Sequence, residues 1–510
     1  MAEVTHQTPA ASPSSSSMLR RYPLAVLLII IGLFYLGNYN GLWTSNDGSQ
    51  FALVRSICLD HRFEIGPQNL PYTLGVDYAV SRHLDLNIPH APDIDYFIIP
   101  LSDPDDPSTP PLRIYSDRPP GTALLIAPFF AVGSAIAQFD DFDFENTTRL
   151  WACIGVMWFA LLNVALIYWA ARLLRASQSA ALMAAGVFAL AGLAFKYSTL
   201  LFSHTPSLTT TLLGVCLLLR ALPQRRAKAY VFAAGFVMAY AVAIEYQNAI
   251  FSAIFLITWL IWLRRENKTE LIIPLLLGGI LPAAGLASYH YACFGHVLIS
   301  THAYNPTMPH NQHLGSIFSG NWGSGLYDIF LRWQMGLLVT APVFVLGLAG
   351  LWMARRQVRM AYLPLVSSVV YTIVISRHAT IVGGSTYDCR YLIPAVSLLA
   401  IGLAPLIDGI YSMHSANARR AVAAFFAAIA LYSVAASLFF TIDRKMSLKT
   451  EHPLPKWHQL LFKYATLPNP DDNLDRLIRN VYLLRYKSMN PDFVIVPVPG
   501  KDDVSIERKH

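Results

Sequence analysis

Charge is what this 510-residue sequence has least of. Only 14% of its residues are Asp, Glu, Lys or Arg, where a soluble protein of this size carries about 25%. Hydrophobic residues make up 54% and mean hydropathy is +0.42, so lipid must replace water around most of the chain. Cysteine is also scarce. Cys58, Cys153, Cys216, Cys293 and Cys389 show no CxxC spacing, which gives no sign of a zinc site or a thioredoxin-type motif. Cys58, Cys293 and Cys389 fall on the side read below as extracytoplasmic, where one disulfide among them is compatible but its pairing undetermined. A concentrated basic patch is missing too: the net charge of +7 comes from short Lys/Arg pairs between apolar runs, which argues against a nucleic-acid footprint.

What is present is a regular series of apolar segments. They run over residues 22–39, 150–171, 180–202, 206–222, 229–246, 249–263, 271–293, 335–353, 361–376, 391–411 and 421–441. The expected fold class is therefore an all-α polytopic membrane protein of about eleven transmembrane helices. Residues 1–19 read as a disordered cytoplasmic tail, residues 20–441 as the transmembrane domain, and residues 442–510 as an extracytoplasmic C-terminal segment with a helix over Leu474–Tyr486 and a strand over Phe493–Val498.

Residues 40–149 form one large loop after the first helix. Its apolar stretch Thr122–Ala137 is short for a span, at about sixteen residues, and is expected to lie in the interface. If it does not cross, Arg20/Arg21, Arg172/Arg175, Arg220/Arg225/Arg226/Lys228, Arg264/Arg265/Lys268, Arg355/Arg356/Arg359 and Arg419/Arg420 all face the cytoplasm. The loops at the other end are then the long ones, and binding and catalytic groups concentrate on such loops.

Those loops carry the candidate chemistry. Asp47, in Trp43-Thr-Ser-Asn-Asp-Gly-Ser-Gln, is a carboxylate at the membrane surface, placed to cap a helix or to take a proton from a hydroxyl. Asp117 and Arg118 precede Pro119-Pro120-Gly121, which stiffens the backbone before the apolar stretch and also reads as a plain helix start. Arg390 and Tyr391, in Asp388-Cys-Arg-Tyr-Leu-Ile-Pro394, open a late helix, and a guanidinium suits phosphate oxygens as well as it suits a helix edge. Glu245 is ionisable at the rim of an apolar run, with Lys196 as an alternative structural partner. His204 sits in a polar turn. His296, His302, His310 and His313 lack zinc-like spacing, and Trp322, Tyr327 and Trp333 suit either a sugar platform or a membrane interface.

An aspartate after the first helix, a long loop with Asp117-Arg-Pro-Pro-Gly121, Arg149-Leu opening a helix that ends Ala-Arg-Leu-Leu-Arg175, then Tyr197–His204, Glu245-Tyr246, Tyr289–Gly295 and Arg390-Tyr-Leu-Ile-Pro394 follow in order. Together they resemble the GT-C superfamily of membrane glycosyltransferases, especially the protein O-mannosyltransferase and lipid A aminoarabinose transferase families. The likeness covers roughly residues 20–440; one departure is His204, where many relatives place an acidic residue.

The resemblance implies transfer of a monosaccharide from a polyprenyl-phosphate donor to a lipid, polysaccharide or protein acceptor at the extracytoplasmic surface, with inversion. Asp47 would be the general base. Asp117, Arg118, His204, Glu245, Arg390 and Tyr391 would bind the donor, with Asp117 and Glu245 orienting sugar hydroxyls or a divalent metal ion; no other cofactor and no nucleic acid are implied. Localisation would be a bacterial inner membrane with the site facing the periplasm or exterior. The alternative from another class is a transporter or flippase of a lipid-linked substrate, against which stand the lack of internal repeats and the large first loop.

Overall fold

The computed structural model describes residues 22–37, 39, 45–65, 96–99, 113–139, 144–221, 226–298, 317–332, 336–379, 389–442, 493–497 and 504–508. Residues 1–19, Trp333, His302, His310, His313, Asp388 and the expected helix Leu474–Tyr486 lie outside them.

The architecture is a helical membrane bundle. Among the described residues seven helices are long and apolar enough to cross a membrane, Thr147–Leu173 and Arg390–Tyr411 included, and four shorter apolar helices accompany them. The first, α1 (Pro23–Gly37), begins on a proline, whose fixed φ and missing N–H suit a first helical position. It docks through Tyr35, whose hydroxyl donates to the Ala189 carbonyl at 3.1 Å. After it come α2 (Ser45–Arg55), which runs on into a π turn at Ser56–Asp60, and the antiparallel pair β1 (Tyr96–Ile99) and β2 (Arg113–Ser116). The next two, α3 (Gly121–Phe139) and α4 (Phe144–Leu173), form an antiparallel hairpin in which Gly133 and Gly155 let α3 approach Trp151 and the Phe129 ring approach α4.

Helix α3 is longer than its sequence suggests: it has 19 residues and meets the length and composition needed to cross. Its packing still sets it apart from the bundle. The second half of α4 packs on α6 (His204–Ala221), with Thr209 Oγ1 donating to the Phe159 carbonyl and Cys216 Sγ to the Leu166 carbonyl. The first half of α4 extends past the start of α6, and α3 lies along that extension. It meets α7 (Ala227–Ile244) at Gly121, whose carbonyl accepts from Tyr240 at 3.1 Å.

The expected span over residues 206–222 is present as α6, but its Thr and Ser content keeps it out of the candidate spans. Thr205, Ser207, Thr209, Thr210 and Thr211 are all buried. Their hydroxyls are satisfied by carbonyls within the helix or on neighbouring elements, the arrangement that lets a polar helix sit inside a bundle.

Two other expected helices are broken. The 180–202 run divides into α5 (Gln178–Leu190) and a single turn Leu193–Lys196, because Gly192 adopts φ +67°, a left-handed backbone that glycine takes without cost. In 335–353, Pro342 separates the turn Leu337–Thr340 from α11 (Val343–Ala354), since proline denies the helix an N–H. The remaining helices are α8 (Asn248–Arg265), α9 (Ile272–Phe294), α10 (Trp322–Phe330), α12 (Tyr362–Ile375), α13 (Ile393–Tyr411) and α14 (Ala416–Ile442). The expected terminal strand is found as β3 (Phe493–Pro497), paired antiparallel with β4 (Val504–Arg508).

The five cysteines are all thiols. Cys58 faces the Ala127 carbonyl and Cys389 the Asp328 carbonyl, so the disulfide envisaged among Cys58, Cys293 and Cys389 is not formed.

The two ends of the bundle differ in charge. Arg359 pairs with Glu266 at 3.8 Å, joining two of the basic clusters, and the Asp408 carboxylate accepts from both Ser177 N and Ser177 Oγ at 2.6 Å. These contacts gather the ends of α4, α8, α11 and α13. The opposite end holds the start of α6, the end of α7 and the start of α13.

Helices α11 and α13 touch backbone to backbone: a Cβ on Gly402 would overlap the Gly347 carbonyl, and one on Gly350 the Gly402 carbonyl. Small residues permit such approach where lipid supplies no hydrophobic drive between helices. Gly402→Leu is expected to cost about 1–3 kcal/mol by overpacking and to lower the melting temperature of the detergent-solubilised protein by a few degrees; an unchanged melting temperature refutes the contact.

Candidate functional site

Asp47 lies within the first turn of α2, not ahead of it as a cap. There it faces the partial positive charge of the helix N-terminus, which favours a carboxylate. It is fully buried, and so are its neighbours Ser49 and Gln50; α2 is enclosed on all sides. Its apolar residues Phe51, Ala52, Leu53 and Val54 share a core with Ile126 and Phe130 of α3, Ala152 of α4 and Leu201.

Ser49 Oγ and Ser116 Oγ are 2.7 Å apart, which ties α2 to the end of β2. Asp117 follows, fully buried, with Arg118 Nε 3.2 Å from its carboxylate. Arg118 N also donates to Ser116 Oγ. The two prolines then turn the chain into α3 as expected, and Gly121 packs so closely on Ala243 and Ile244 that no side chain would fit. The Asp117-Arg118 turn thereby leads directly into a contact with the end of α7.

Glu245 caps α7 in an extended conformation. His204 Nδ1, at the start of α6, lies 2.8 Å from its Oε1 and 3.0 Å from its Oε2. Ser207 Oγ donates to Oε2 at 3.2 Å and Gln247 Nε2 to Oε1 at 2.7 Å. Burial pushes the Glu245 carboxyl up, but His204, Arg390 and the Ser207 hydroxyl outweigh it and hold the group below its ordinary value. Phe202 stacks on the His204 imidazole at 5.8 Å and Tyr197 meets it edge-on at 5.1 Å. The partner of Glu245 is thus His204 and not Lys196, whose ammonium lies 5.9 Å from the Tyr197 ring centre.

Arg390 begins a short 3-10 turn that leads into α13. Its guanidinium lies 5.9 Å from the Phe202 ring centre and 5.4 Å from the Tyr391 ring centre, within range of cation–π attraction. The Tyr391 carbonyl accepts from the Tyr371 hydroxyl at 2.9 Å, and its ring packs 4.7 Å from His378. Tyr391 therefore fixes the turn that presents Arg390.

The contacts tie Ser49 of α2 to Ser116 ahead of the Asp117-Arg118 turn, Gly121 after that turn to the end of α7, His204 to Glu245, and Phe202 to Arg390. Sequence reading missed the residues that hold them. Ser207, one turn after His204, and Gln247, two residues after Glu245, had recognisable spacing; the stacking of Phe202 and the Tyr246 hydroxyl–His290 Nε2 contact of 2.8 Å arise only on folding. Among the described residues no group of three His, Cys, Asp or Glu converges, and both Glu245 oxygens already accept from protein donors.

No family model and no curated protein matches the sequence. Solved structures do. The oligosaccharyltransferase of Archaeoglobus fulgidus in its apo form aligns with TM-score 0.50 and 14% identity over 92% of this chain and 60% of that one. The same protein with Zn and sulfate gives 0.49 and 15% over 88% and 57%. ArnT of Cupriavidus metallidurans bound to undecaprenyl phosphate gives 0.48 and 12% over 94% and 79%. This chain therefore spans about 60% of the length of the archaeal protein. The likeness is one of fold: that of a polytopic helical membrane protein.

The lowered pKa of Glu245 sets a pH dependence. A depressed carboxyl contributes stability that is present above its unfolded value, about 4.3, and is lost as pH falls through the lower folded value. Glu245→Gln is expected to cost about 1–3 kcal/mol at pH 6. The melting-temperature gap between variant and wild type should narrow as pH is lowered to 3; a constant gap counts against the assignment.

Proposed function

We propose that this protein is a glycosyltransferase that moves a monosaccharide from a polyprenyl-phosphate donor to an acceptor hydroxyl at the extracytoplasmic membrane surface, with inversion. The observation that carries the reading is the gathering of Asp47, Asp117, Arg118, His204, Glu245 and Arg390 at one end of the bundle, opposite the basic clusters. The GT-C-type fold shared with a membrane oligosaccharyltransferase supports it. So does the burial of the carboxylates, which makes charge effects there stronger than in water.

In this mechanism the acceptor oxygen attacks the anomeric carbon from the face opposite the phosphate. The bond between that carbon and the phosphate oxygen breaks, and its electron pair leaves with the lipid phosphate. Asp47 takes the acceptor proton, the role suited to a carboxylate of tunable pKa. Arg390, with Arg118, faces the charge that grows on the departing phosphate, and a planar guanidinium presents two parallel donors to its oxygens.

His204 presents Nε2 to the same site. Nδ1–H is committed to Glu245, and Nε2 is buried with no hydrogen-bond partner among the described residues. Glu245 sets the orientation of His204, while Asp117 stands within reach of sugar hydroxyls and steadies Arg118. Tyr391 positions Arg390. With α3 lying outside the spans, the six basic clusters support an extracytoplasmic site by the positive-inside rule, which in a bacterium means the periplasmic face of the inner membrane.

The test is transfer of labelled sugar from a panel of polyprenyl-phosphate monosaccharides by the purified protein. Asp47→Asn is expected to lower kcat by about 10²–10⁴-fold with donor binding retained. Transfer unaffected by Asp47→Asn removes the base assignment, and movement of donor across liposome membranes without transfer replaces the enzyme with a transporter. Arg390→Ala is expected to weaken binding of undecaprenyl phosphate by about tenfold or more, the scale of one charge-assisted contact, and Arg390→Lys to recover only part of it. Equal binding by all three proteins excludes Arg390 from the phosphate site.

A further inference from the structure

The first turns of α2 are polar and yet sealed from solvent. Gln50 is 0% exposed and Asn46 6%, and Gln50 Nε2, Gln50 Oε1 and Asn46 Oδ1 have no hydrogen-bond partner among the described residues. Both polar ends of the Gln50 amide are orphaned, so exchanging its O and N assignments does not remove the deficit. Buried polar groups are nearly always paired, and a native exception calls for a missing partner.

Helical geometry says where that partner sits. At 100° per residue, the side chains around α2 follow in the order Asp47, Gln50, Asn46, Ser49 across one arc of about 160°. Ser49 touches Ser116, the residue before Asp117. The two amides therefore line the arc that runs from Asp47 towards Ser116 and Asp117. At the start of α3, Thr122 Oγ1 is also buried and without a partner among the described residues.

The chemistry of the orphans selects the ligand. A phosphate offers acceptors only and would leave Gln50 Oε1 and Asn46 Oδ1 unsatisfied. A cation would leave Gln50 Nε2 unsatisfied. A hydroxyl both donates and accepts without charge, and two neighbouring hydroxyls of a sugar ring match an amide on both its atoms. We propose that Asn46 and Gln50 form a subsite for neutral, vicinal sugar hydroxyls beside Asp47. The subsite deepens the glycosyltransferase reading and rests on it for which sugar is held, the donor's or that of a glycan acceptor.

The experiment measures saturation-transfer NMR contacts between methyl glycosides of common hexoses and pentoses and the full-length protein in nanodiscs. Wild type is expected to contact at least one glycoside, and Gln50→Leu and Asn46→Leu to bind it about tenfold more weakly, the scale of one hydrogen-bonded pair. Gln50→Leu should also melt no lower than wild type, because it removes two orphaned polar atoms; a structural glutamine would lose stability instead. No glycoside contact by wild type, or equal contact by the variants, overturns the proposal.

Displacement of the glycoside by a polyprenyl-phosphate sugar but not by undecaprenyl phosphate assigns the amides to the donor's sugar. Persistence of the contact with the lipid-linked sugar bound assigns them to the acceptor. The glycosyltransferase reading fails separately: glycoside binding with no transfer sinks that reading and keeps the subsite, whereas transfer with unaltered glycoside binding in the variants does the reverse.

Discussion

The contact between His204 and Glu245 joins the start of α6 to the end of α7, and the arrangement of this end of the bundle follows from it. Neither group would be tolerated alone in so apolar a protein, because an uncompensated buried charge is far more costly than a paired one. Ser207 and Gln247 complete the shell around the carboxylate, and Phe202 and Tyr197 box the imidazole. With the two helix ends locked, the Asp117-Arg118 turn has a fixed wall to pack on through Gly121, and Arg390 reaches the same place from α13 over the Phe202 ring.

The head of α2 and the length of α6 differ in how their buried polar groups are handled. Along α6 every buried hydroxyl finds a carbonyl, so the helix carries a polar stripe through the bundle at little cost. At the head of α2 the opposite holds, and Asn46 and Gln50 are left without partners among the described residues. The deficits at Asn46 and Gln50 stand beside Asp47, where a ligand would meet them.

The departures from the sequence reading have physical causes at particular residues. The 180–202 run is continuously apolar around Gly192 and gives no period by which to foresee that this glycine turns left-handed and ends α5. Thr205 to Thr211 look too polar for a lipid-facing span, and only the surrounding α4 and α7 show that the helix faces protein. The Glu245–Lys196 pairing was reasonable by charge, but charge alone cannot rank partners that the fold separates or joins.

Composition and hydropathy by themselves determined that this is a multi-pass helical membrane protein, because 54% hydrophobic residues in evenly spaced runs leave no other way to cover apolar surface. The sequence also marked Asp47, Asp117, Arg118, His204, Glu245 and Arg390, since ionisable residues are rare in such a chain and stand out. Tertiary structure decided which of them meet: His204 and Glu245 are 41 positions apart, and Arg390 is much further along the chain. Their contacts depend on how helices pack, which short-range sequence patterns do not encode. Structure likewise decided that Gln50, an unremarkable residue in the sequence, is a buried amide with no partner among the described residues, because burial is a property of the assembled bundle and not of any segment of it.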